Sequence, residues 1–114
     1  MRAPEIELLW WQGCPSTERA RDELRRVLDE IGLAGAEVRS REIRSDAEAR
    51  EAGFVGSPTI RIDGVDPVPL AADEPVGLSC RVYRRRDGRI APTPDPDDLR
   101  EALERALASE EVTR

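Results

Sequence analysis

The first patterned stretch, "EIELLWW" over 5–11, alternates Glu5, Ile6, Glu7 and Leu8 and then becomes continuously apolar. Alternation at period two marks a strand, and the unbroken apolar run marks one entering a sheet covered on both faces. Beyond Gly13 and Cys14 the period changes. Ala20, Leu24, Val27, Leu28 and Ile31 recur at helical spacing, with Pro15 in the first helical position and Gly32 as the stop. "AEVRSREI" over 36–43 has only Val38 and Ile43 as large apolar members. Its Arg39, Arg41 and Glu42 suit an edge strand protected against further pairing. Ser45-x-x-Glu48 is a capping box opening a short helix through Ala52, which Gly53 closes.

"SPTIRIDG" over 57–64 alternates again, Ile60 and Ile62 against Arg61 and Asp63, and ends on an Asp-Gly turn. Residues 65–77 carry Pro67, Pro69 and Pro75 and read as a loop before the strand "LSCRVYR" over 78–84. That loop is long for a hairpin and is a candidate functional insertion. After the "RRDGR" turn, Asp95 is placed as N-cap, Pro96 as first helical residue, and Asp97 and Asp98 in the first turn. Leu99, Ala102, Leu103, Ala106 and Leu107 supply the apolar face of this last helix. Residues 109–114 are expected to fray. The expected order is therefore strand, helix, strand, helix, strand, strand, helix, an α/β pattern.

Composition narrows what such a fold can do. At 114 residues there is room for one domain, and 39% hydrophobic content spread along the chain favours an ordered one despite 37% charge. All 18 basic residues are arginine. Without histidine there is no Ser/His or Cys/His pair and no imidazole metal ligand; without lysine there is no Schiff base and no Walker-type phosphate loop. The net charge of −6 argues against nucleic acid and anionic membranes as partners. Arg81, Arg84, Arg85, Arg86 and Arg89 form one basic run, read as a solvated strand end and turn. The N-terminal "MRAPEIELLWW" lacks the long apolar stretch of a signal peptide, so a cytoplasmic address is expected. There, two cysteines are more plausibly reactive, metal-binding or buried than a structural staple.

The candidate chemistry lies in "WWQGCPST" over 10–17. A cysteine at the first turn of a helix faces unpaired N–H groups and the positive end of the helix dipole, so Cys14 is expected to be exposed, acidic and reactive.

Gly13-Cys14-Pro15 at a strand-to-helix junction, followed by "GFVGSPTIRIDG" over 53–64, resembles the thioredoxin-like superfamily. The resemblance implies a thioredoxin-like fold, βαβαββα, with a four-stranded mixed sheet flanked by helices, over 1–114 as a single domain with 65–77 inserted. It implies that Pro58 is cis and faces Cys14, leaving the Ser57 backbone open to an extended substrate strand. Trp10 matches the aromatic residue that precedes the family's cysteine, and Trp10, Pro15, Ser57 and Pro58 become candidate substrate-binding residues. Two departures matter. Thr17 stands where dithiol members carry a resolving cysteine, and Leu8 where thioredoxins proper have a buried carboxylate. Thr17 could instead donate a hydrogen bond to the Cys14 sulfur or serve the helix start.

Cys80 is the possible second thiol. Counting two inter-strand spacings of about 4.8 Å across the implied sheet puts it beyond the usual Cα limit for a disulfide with Cys14, and favours a buried, inert role. The leading expectation is a monothiol thiol–disulfide oxidoreductase in which Cys14 forms mixed disulfides with a protein or low-molecular-weight thiol, without cofactor or bound metal. The alternatives are a non-catalytic binding module on the same fold, and organomercurial or heavy-metal chemistry using Cys14 and Cys80. Some similar small bacterial proteins carry an alkylmercury lyase label.

Overall fold

The protein is described by a computed structural model covering residues 4–68 and 73–112. Residues 69–72 of the expected 65–77 loop and 113–114 of the expected tail lie outside the described part. The elements run β1 (Ile6–Trp10), α1 (Thr17–Glu30), β2 (Val38–Glu42), α2 (Asp46–Ala52), β3 (Thr59–Ile62), β4 (Tyr83–Arg84), β5 (Ile90–Ala91) and α3 (Pro96–Val112).

β1 is the central strand of a mixed sheet, parallel to β2 on one side and antiparallel to β3 on the other. The register pairs Ile6 with Ile62 and Leu8 with Ile60, so these four share one face. There they pack against Ala20, Leu24, Val27 and Leu28 of α1 and Leu99 and Leu103 of α3. Leu9 turns to the opposite face and packs with Ile43, Ala49 and Phe54. Cores on both faces explain why β1 loses its alternation, and each large side chain so buried contributes about 1.5–3 kcal/mol.

α2 begins as its capping box requires: the Ser45 hydroxyl accepts from the Glu48 N–H at 3.1 Å, and Glu48 accepts from the Arg44 N–H at 2.9 Å. Gly53 ends the helix at φ 64°. Asp95 caps α3 by accepting from the Asp97 N–H at 2.9 Å. α3 continues to Val112, through residues expected to fray. α1 starts at Thr17 with Ser16 as N-cap, so Pro15 precedes the helix rather than opening it.

The expected four-stranded sheet is divided. Three strands form the mixed sheet, while β4 pairs only with β5, a short strand beyond the expected order, in a separate two-stranded ribbon. The cause lies at 79–81, whose backbone pairs with Ser57 ahead of β3 instead of extending the ladder along β3. Among the described residues, no helix is long and apolar enough to cross a membrane.

Arg84, Arg86 and Arg89 of the basic run are exposed, as a solvated strand end and turn would have them, and Arg85 is half-buried. Arg81 is buried, with 8% of its surface exposed, and pairs with Asp66. Arg86 reaches Asp98 and Glu101, each at 2.8 Å. Arg85 pairs with Glu23 at 3.0 Å and donates to Thr93 at 2.8 Å, and Thr93 donates to Glu23 at 2.6 Å, which ties the β4–β5 ribbon to α1. Burial raises the Glu23 pKa, but the Thr93 hydroxyl and the Arg85 guanidinium outweigh it, so the carboxyl ends below its ordinary range. A carboxyl whose pKa is lower folded than unfolded stabilises above its unfolded value and loses that contribution as pH falls. Thermal unfolding followed from pH 7 to pH 3 should therefore show a loss of stability through the carboxylate range that Glu23→Gln partly flattens. An identical slope in wild type and variant would remove Glu23 from the acid response.

Candidate functional site

The site is built around Ser57, the residue before the cis Ser57–Pro58 bond. β1 delivers the chain to a turn in which the Cys14 N–H donates to the Trp11 carbonyl at 3.0 Å. Gly13 leaves room there for Trp11, whose ring a Cβ would meet at 2.5 Å and displace. The Trp11 N–H donates to the Ser57 hydroxyl at 3.0 Å, and the Cys14 thiol donates to the Ser57 carbonyl at 3.3 Å. Cys14 is thereby buried, with 7% of its surface exposed, where the sequence suggested an exposed thiol.

The placement of Cys80 changes most. Ser57 donates its N–H to the Ser79 carbonyl at 2.8 Å and accepts from the Arg81 N–H at 2.8 Å, a parallel bridge that sets Cys80 opposite Ser57. The lateral count across four strands fails because this segment belongs to no ladder of the main sheet. Cys80 is exposed rather than buried, and both cysteines are free thiols. Hydrogen bonding with Cys14 is the largest cause holding the Cys80 thiol above its ordinary range, followed by burial and by the charge of Cys14.

A buried polar network holds this pairing in place. Arg81 forks onto Asp66 at 2.6 and 3.3 Å, donates to the Thr59 hydroxyl at 3.2 Å, and lies 4.3 Å from the centre of the Tyr83 ring. The Tyr83 hydroxyl donates to the Pro58 carbonyl at 2.5 Å, and the Thr59 hydroxyl to the Gly56 carbonyl at 2.6 Å. Burial pushes the Tyr83 phenol well above its ordinary range, keeping it a donor. Gly56 has φ 135°, and a Cβ there would sit 2.9 Å from the Arg81 Cβ, so only glycine allows the segment this close.

The other expected residues disperse. The Trp10 indole donates to Ser40 on β2 at 2.9 Å, leaving Trp11 as the tryptophan beside the thiol turn. The Thr17 hydroxyl is buried without a hydrogen-bond partner, so the expected bond to the Cys14 sulfur is not made. Pro15 is exposed and borders a groove lined by charges, among them Glu18, Arg19 and Asp22. Leu8 packs in the α1 core and adds no acid or base to the site. Asp66, Arg81 and Tyr83 escaped the sequence reading as site residues; Gly56, ahead of Ser57-Pro58, was the signal that another backbone comes close.

Chemically, the site offers two neighbouring thiols, one under the Ser57 carbonyl and one open to solvent. Among the described residues no group of three or more Cys, Asp or Glu could hold a metal ion. Comparisons with protein-family models, with curated proteins and with solved structures find no match to this chain.

Proposed function

We propose that the protein is a thioredoxin-like thiol–disulfide oxidoreductase whose reacting pair is Cys14 and Cys80. The observation that carries this reading is that both cysteines converge on Ser57, Cys14 through its thiol on the Ser57 carbonyl and Cys80 through the backbone bridge that sets it opposite Ser57. Cys14 and Pro58 also stand near one another, as the resemblance implies, while Cys80 supplies the second thiol that Thr17 cannot.

The Cys14 thiolate attacks a substrate disulfide, forming a Cys14–substrate bond and expelling one substrate thiolate, which takes up a proton. Cys80, deprotonated, then attacks the Cys14 sulfur; the Cys14–Cys80 bond forms and the second substrate thiolate leaves. The substrate disulfide is reduced to two thiols and the protein dithiol is oxidised, and an external thiol reverses the step. Capping Cys14 also removes the main cause of the raised Cys80 pKa, so Cys80 ionises more readily once it must attack.

Incubation of the reduced protein with oxidised glutathione, followed by intact mass and thiol titration, tests the pair. Wild type should lose two hydrogen atoms and both titratable thiols, and Cys14→Ser should form no internal bond. A wild type that keeps both thiols free would overturn the redox reading and return the fold to a binding role. The same two sulfurs also fit linear coordination of a soft cation such as mercury(II); a one-to-one complex lost on replacing either cysteine would carry that second reading.

A further inference from the structure

We infer that the site acts on low-molecular-weight disulfides and excludes extended polypeptides, because the chain's own residues 79–81 already fill the edge of Ser57. This rests on the oxidoreductase reading above. An extended polypeptide docks on a sheet edge chiefly through main-chain hydrogen bonds, which need a free N–H and a free C=O. Here the Ser57 N–H goes to Ser79, and its carbonyl receives both Arg81 and Cys14. Pro58 has no N–H, and its carbonyl is taken by Tyr83; the Gly56 carbonyl is taken by Thr59. At Ser57 and Pro58 an incoming strand finds no free main-chain group to pair with.

Nor is the 79–81 segment a loose cover. The residue next to Cys80 is anchored by the buried Arg81–Asp66 fork, and Gly56 is shaped to receive it. Displacing it would strip a buried guanidinium and a nearly buried carboxylate of each other. Access to the thiols remains at the exposed face of Cys80, beside a cavity of about 410 Å³ bordered by Val55, Glu74, Pro75, Val82 and Arg84. That volume suits a small molecule. The chemistry is that given above, with both substrate sulfurs leaving as low-molecular-weight thiols.

The test uses the reduced wild-type protein. Its oxidation by 2-hydroxyethyl disulfide and by oxidised glutathione is compared with its oxidation by a disulfide-bonded polypeptide such as insulin, per disulfide, while hydrogen exchange follows the Ser57 and Arg81 amides. The small disulfides should react at least about tenfold faster, with both amides protected throughout, since no strand can replace 79–81. Equal or faster oxidation by the polypeptide, or amides that exchange freely until the polypeptide is added, would overturn the inference and leave the redox reading standing. If no disulfide oxidises the Cys14 and Cys80 pair, the oxidoreductase reading fails and this inference falls with it.

Discussion

Arg81→Met is expected to lower the free energy of unfolding by about 3 kcal/mol, because it leaves the Asp66 carboxylate nearly buried without its partner. Methionine fills part of the arginine's volume, so the loss reports the charge and its hydrogen bonds more than a cavity. Arg81 bonds Thr59 as well as Asp66 and lies against the Tyr83 ring, and those contacts are lost together. Arg81→Lys keeps the charge but not the two-pronged geometry and should fall between the two. Urea midpoints at constant m-value measure the series. A cost below about 1 kcal/mol for methionine would match an exposed pair and would contradict the buried fork.

The same residue shows where sequence pattern stops being informative. Period and caps are local, and they place β1, α1, the Ser45 and Asp95 caps and the Gly53 stop to within a residue or two. Burial of Arg81 depends on Asp66, fifteen positions earlier in a proline-rich loop, and no periodicity links the two. In a run of five arginines, a buried member looks like its neighbours. Counting strands misplaces Cys80 for a related reason: the count runs across a four-stranded sheet, whereas the backbone of 79–81 pairs once, with Ser57, and then departs. A single bridge leaves no alternating pattern to read. The tryptophans show the limit at finer scale: Trp10 and Trp11 lie on opposite faces, and only the crowding of Trp11 over Gly13 decides which stands by the thiol turn.

Cys80→Ser is expected to arrest the reaction halfway. The variant changes one exposed atom and leaves every bond of the 79–81 bridge in place, since those bonds are main-chain. Cys14 should still attack oxidised glutathione, but the adduct should persist, because no second sulfur lies beside it. Intact mass would then show one glutathione per chain where wild type shows an internal disulfide. A neighbouring thiol acts at an effective concentration far above that of glutathione in solution, so release of the bound glutathione should slow by at least about 100-fold. In wild type the same release should quicken as pH rises, since Cys80 must lose its proton to attack. Release from Cys80→Ser at the wild-type rate would show that the resolving thiol comes from outside the chain, and would restore Cys14 as a solitary thiol.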